Sequence, residues 1–215
     1  MVEKLRQVEG DITIEKEINP EFIREVESSV FSLTDKVNIL LTMAGLKPAS
    51  KVELTSRIWH GDEEERFFTD GDVAKVRQLI ENSGMPFESA KEFELTYWYG
   101  PKPEVEAYNQ EGAVYIIGHT QQDLERLKEA MESKDPVLKG KAFGFPETAT
   151  EAFCGKKRKK SPKSLPKEVK KSDAWLFHYG PLSESNWKEE LVCDQKRAEF
   201  IKKVSPRLYK EMTEK

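Results

Sequence analysis

The chain has 215 residues, 37% hydrophobic and 34% charged, with a formal net charge of −4. That length can bury one sizeable core, and the composition is that of a soluble globular chain on the highly charged side. The charge is uneven: residues 1–155 carry −12 and residues 156–215 carry +8, an acidic body with a basic C-terminal quarter. The first eleven residues lack an apolar stretch, which predicts no cleaved secretion signal. The longest apolar run, 30–46, contains Asp35, Lys36 and Asn38, too short and too polar to span a bilayer. Cys154 and Cys193 are the only cysteines and form no C-x-x-C, the pattern of a cytoplasmic protein with free thiols, although spacing alone leaves a disulfide between them open.

In chain order, 1–18 is polar and weakly patterned. Asn19-Pro20 then reads as an N-cap with proline in the first turn, opening a helix to about Val30. Thr34 reads as the cap of a second helix with apolar residues at 37, 40, 41 and 44, stopped by Gly45. Alternation over 51–59 predicts a half-buried strand. Asp70 or Asp72 would cap a helix carrying Val73, Val76, Leu79 and Ile80 on one face. A second strand follows at 92–99, and the nearly unbroken apolar run 112–118 predicts a central strand. Thr120 and Asp123 form a near capping box before Leu124, Leu127 and Met131. A short helix from Pro146 to Cys154 carries Ala149, Ala152 and Phe153 on one stripe, with Phe145 stapled to Ala149 and an anion-holding potential at the Glu147 and Thr148 amides. Residues 174–179 read as a fourth strand, and 186–204 as a helix that breaks at Ser205-Pro206 before a shorter one.

Two stretches close on the same tripeptide, Tyr99-Gly100-Pro101 and Tyr179-Gly180-Pro181, and two others end in a histidine beside a glycine, at 60–61 and 118–119. This pairing of halves predicts an α+β fold: a ferredoxin-like β-α-β-β-α-β two-layer sandwich whose first and third strands are central, parallel neighbours. The division that follows is a helical extension over 1–48, a core over 49–181 with a basic insertion at 156–171, and C-terminal helices over 182–215.

Parallel central strands would bring His60 and His119 to one sheet edge, where imidazoles with Asp62 or Glu63 could hold a divalent metal or small ligand. The alternative for each histidine is a strand-end residue bonded to a loop carbonyl. Residues 156–171 (KKRKKSPKSLPKEVKK) carry nine basic side chains, among them Lys156, Lys157, Arg158, Lys159 and Lys160. Such a run suits nucleic-acid phosphates or, equally, a solvated loop resting on acidic patches. Trp59 and Trp98 fall where an RNA-recognition domain, whose topology this one resembles, stacks bases. The third strand departs from that family's motif, with Glu111 where a basic residue belongs. No Walker loop, G-x-S-x-G, HExxH or dinucleotide fingerprint is present, and no cofactor is evident. The sequence therefore supports a cytoplasmic binding or interaction protein of unassigned function, with a small ligand or metal at the His60/His119 edge. RNA or DNA binding through the basic loop, self-association into a homo-oligomer, and an uncharacterised enzyme are the other readings; no membrane partner is expected.

Overall fold

Asn19 caps the first helix by accepting a hydrogen bond from the Glu21 amide, with Pro20 in the first turn of α1 (Pro20–Ser28). These observations come from a computed structural model describing residues 18–60, 63–90 and 109–214. The next helix, α2 (Leu33–Met43), is capped by Ser32, not Thr34: its hydroxyl accepts from the Asp35 amide. Gly45 stops it at φ +73°, a left-handed conformation that glycine adopts without a Cβ penalty.

The sheet has four strands in the order β2-β1-β4-β3: β1 (Ala49–His60), β2 (Glu63–Arg66), β3 (Phe87–Ala90) and β4 (Asn109–Gly118). Every pairing between them is antiparallel. The parallel neighbours expected of β1 and the 112–118 strand are therefore corrected: Ala49 pairs with Gly118 and Trp59 with Asn109. An edge strand, β2, is a further departure. Its sequence is Glu-Glu-Glu-Arg, without an apolar residue to mark a strand, yet it folds back on β1 as a hairpin at the sheet edge. An edge strand needs no buried face, so hydrophobic periodicity cannot reveal it. From β2 the chain enters α3 (Asp70–Asn82), which leads into β3.

Two further expectations change. Residues 174–179 are not a strand: Ser172 accepts from the Trp175 amide and caps the short helix α8 (Asp173–Leu176). The run DAWLFHY has apolar residues at spacings that serve either period, and burial of Ala174 and Phe177, three apart, decides for the helix. Residues 92–99, the other expected edge strand, lie outside the described residues. The described chain is thus α+β with a four-stranded antiparallel sheet of order β2-β1-β4-β3.

The main core forms between one sheet face and the helices of both chain ends. Val52 and Leu54 of β1, with their paired Tyr115 and Ala113 of β4, meet Val37, Leu40 and Leu41 of α2, Val76 and Ile80 of α3, and Phe200 and Ile201 of α9 (Trp187–Val204). The opposite face carries Ala49 and Ile116 against Leu124 and Leu127 of α4 (Gln121–Glu132). Coverage on both faces explains why β4 reads as a continuous apolar run while β1 alternates. The expected capping box of α4 forms, Thr120 accepting from Asp123 N–H and the Asp123 carboxylate from Thr120 N–H. In α3 the same motif is built on Thr69 and Asp72, so Thr69 is the cap and Asp72 its partner. Ser205 ends α9 and caps α10 (Pro206–Thr213), as the Ser-Pro break predicts.

Candidate functional site

The antiparallel sheet separates the two histidines meant to share a site. His60 ends β1 opposite Glu63 of β2, while His119 follows Gly118, which pairs with the first residue of β1. Along the strand that separation is roughly 35 Å at about 3.3 Å per residue. Asp62 lies outside the described residues. The His119 ring is spoken for: Nδ1–H donates to the Thr42 carbonyl at 3.0 Å, and the backbone N–H donates to Pro48 O at 2.8 Å. Its ring is thus bonded to a carbonyl in the last turn of α2. Among the described residues no group of three or more His, Cys, Asp or Glu side chains could hold a metal. Trp59 lies on β1 opposite Glu64 and Asn109 in the register, and Trp98 is outside the described residues.

The third histidine leads elsewhere. His178 Nδ1–H donates to Asp194 of α9 at 2.8 Å, and its ring stacks on Trp175 with centroids 5.5 Å apart. The other Asp194 oxygen accepts from Arg197 at 3.0 Å, and Arg197 also donates to the Gly144 carbonyl at 2.8 Å. One turn earlier, Glu190 is 2% exposed and accepts from Ser183 N–H, the Ser183 hydroxyl and the Thr148 hydroxyl. Glu190, Asp194 and Arg197 stand at i, i+4 and i+7, so they share one face of α9. Each is buried, and each holds a different atom of two segments, 144–148 and 178–183. Buried charges persist only when paired and hydrogen-bonded, and here the pairing fixes backbone positions. His178 Nε2 is buried with no hydrogen-bond partner among the described residues. Lys47 adds a cation nearby: burial, reinforced by Arg197, pushes its ammonium down to about 8, against the pull of Asp35 and Asp194.

Those two segments are the walls of an apolar pocket of about 300 Å³. Phe145, Ala149, Thr150 and Phe153 line one wall, Tyr179-Gly180-Pro181 the other, with Pro136, Lys139 and Gly140 of α5 (Pro136–Ala142) between. The wall helix α6 (Glu147–Phe153) packs closely on α5, since a Cβ at Gly140 would fall 2.4 Å from Thr150 Cγ2. The expected stripe is corrected at one position: Ala149 and Ala152 are buried, but Phe153 is 61% exposed at the pocket mouth. Both threonine hydroxyls suggested for an anion are already engaged, Thr148 with Glu190 and Thr150 with Pro146 O. A larger cleft, about 390 Å³ beside α4, is lined by Asp123, Arg126, Glu129 and Lys141; Asp123, Arg126 and Lys141 are paired locally, which leaves little for a ligand.

The basic segment 156–171 is packed, not suspended. Lys160 N–H donates to Leu182 O and Glu184 N–H to Arg158 O, while Leu165 and Val169 enter a small core with Ala174, Leu182 and Leu191. Lys156, Lys157, Arg158 and Lys159 remain exposed, and Lys160 lies 5.7 Å from the Trp187 ring centre. Of the nine cations only Lys157 pairs with a carboxylate among the described residues, Glu151 at 2.8 Å. Cys154 and Cys193 are free, and burial pushes the Cys193 thiol up. No helix among the described residues is long and apolar enough to cross a membrane. Compared with models of known protein families, with characterised proteins and with solved structures, the chain matches none.

Sequence reasoning singled out the Tyr-Gly-Pro repeat and the 144–153 segment separately, each as a structural feature. The signal that could have joined them is the acid-rich, non-apolar face of α9, whose Glu190 and Asp194 have no reason to be buried unless they bind something fixed.

Proposed function

We propose that this is a small-ligand-binding protein whose site is the apolar pocket between 144–153 and 179–181. The observation that carries the reading is that both walls are tied to one helix face by buried charges. Such a shell holds a cavity open against collapse before any ligand arrives, and preorganisation lowers the entropic cost of binding. The volume stands at the small end of ligand sites, and the lining is mostly apolar, as such sites are. The test is titration with the neutral fluorophore N-phenyl-1-naphthylamine against the wild type and Ala149→Phe, which fills the pocket from its wall. Saturable binding that Ala149→Phe removes is expected; an unchanged isotherm would sink the reading.

A second reading has its own observation. Eight of the nine cations in 156–171 have no carboxylate partner among the described residues, on a backbone anchored by Leu165 and Val169. That fixed cationic face suits single-stranded nucleic acid, at a salt-dependent affinity. Lys163→Glu/Lys167→Glu should weaken the gel mobility shift of a labelled single-stranded RNA at low salt. Equal binding by wild type and variant would dismiss it.

A further inference from the structure

Resting on the pocket reading, we infer that the ligand is a small amphipathic monoacid, an apolar body with a single anionic head group. One lysine, Lys139, lines the pocket, and Lys141, Lys157 and Lys159 approach side chains of its wall helix α6; they are not equivalent. Lys141 Nζ lies 2.6 Å from Glu147 Oε1, and Lys157 Nζ lies 2.8 Å from Glu151 Oε2, so both are neutralised by α6. Lys139 lines the pocket itself, and Lys159 Nζ sits 5.7 Å from the centre of the Phe153 ring at the mouth. Neither has a carboxylate partner among the described residues.

The remaining lining offers a ligand little polar recognition. The Thr150 hydroxyl donates to Pro146 O, the Tyr179 hydroxyl donates to Met212 Sδ at 4.0 Å, and Phe145, Ala149, Phe153 and Pro181 are apolar. The polar complement available is therefore positive and located at one side. A neutral apolar ligand would leave Lys139 half-buried against hydrocarbon without a partner, a cost that an anionic head removes. A cationic ligand would meet like charge. One head group is enough, since the two lysines flank a cavity with room for a body the size of one or two rings.

The probe pair that isolates the head group is 1-anilinonaphthalene-8-sulfonate and N-phenyl-1-naphthylamine, which share an aromatic body and differ in the sulfonate. Both are titrated by fluorescence against the full chain. The sulfonate probe is expected to bind roughly tenfold tighter, Lys139→Gln to remove most of that advantage, and Lys159→Gln to remove roughly threefold. Neutral-probe affinity does not fall in either variant, so the loss is specific to the sulfonate, and Lys163→Gln, which is not in the pocket lining, alters neither probe. Equal affinity of the two probes, or lysine variants without effect, overturns the monoacid while leaving the pocket in place. Loss of the sulfonate probe in Lys163→Gln assigns it to the cationic segment and likewise overturns the inference. Indifference of both probes to Ala149→Phe, and to Phe153→Ala and Tyr179→Ala at the exposed mouth, overturns the pocket itself.

Discussion

The helix faces of α2 and α9 are both buried, yet they are made of opposite chemistry. α2 sets Val37, Leu40 and Leu41 against the sheet, with Asp35 at its first turn and Thr42, which shares a hydrogen bond of 2.8 Å with Ser50, as its buried polar residues. α9 sets Glu190, Asp194 and Arg197 against 144–183, flanked by Leu191 and Ala198. An apolar face stabilises in proportion to the area it removes from water and is indifferent to which methyl lies where. A charged face is directional: each carboxylate specifies the donor that must meet it. The first provides stability, the second provides position, and the pocket is found beside the second.

The sharpest way to break this contrast is Asp194→Ala. It leaves Arg197 and His178 buried without their shared acceptor, at a cost of about 3–5 kcal/mol. Urea denaturation should show that loss together with weaker probe binding; a change below about 1 kcal/mol would mean the pair behaves as an exposed one. Leu40→Ala, on the fully buried apolar face, should cost about 3 kcal/mol by the same measurement and leave probe affinity intact. Reduced affinity here would show that the two faces are not separable.

Lys47 lies between the two faces, and its pH dependence has a definite sign. Its folded pKa, about 8, is below the ordinary 10.5. Between those values the unfolded chain binds the proton more readily, so stability rises with pH across the window, and the full cost persists below about pH 8. With water still reaching the half-buried ammonium, the cost is about 1–2 kcal/mol. Lys47→Met should therefore be more stable than wild type at pH 7, the gap narrowing by pH 10. A gap independent of pH in paired denaturation curves would remove Lys47 from this role. The smallest effect is expected far from both faces: Thr120→Ala removes the α4 capping box for about 1 kcal/mol and no loss of probe binding.

Local signals survive well in this chain. The caps at Asn19 and Thr120, the break at Ser205-Pro206, and the short helix after Pro146 are all formed by residues within four positions of one another. What the pattern misassigned depends on partners far away in sequence. β2 is a strand only because β1 lends it hydrogen bonds, and nothing in Glu63–Arg66 announces that. Residues 174–179 carry an ambiguous period that burial against α9 settles. Strand direction depends on distant partners too: with β1 and β4 antiparallel, His119 stands at the other end of the sheet from His60, and the expected site is divided.

The sequence by itself determined the helix starts at Asn19 and Thr120, the break at Ser205-Pro206 and the strand character of β1 and β4, because propensity, capping and periodicity act over a few residues. Only the tertiary structure decided strand direction and where a binding site could form. Strand direction follows from which backbone groups find partners across the sheet, and the site follows from three buried charges on α9 meeting segments some 40 residues apart in the chain. The Tyr-Gly-Pro at 179–181 shows the difference: as sequence it is a chain stop, and as structure it is a pocket wall held by the residues on either side of it, His178 and Ser183.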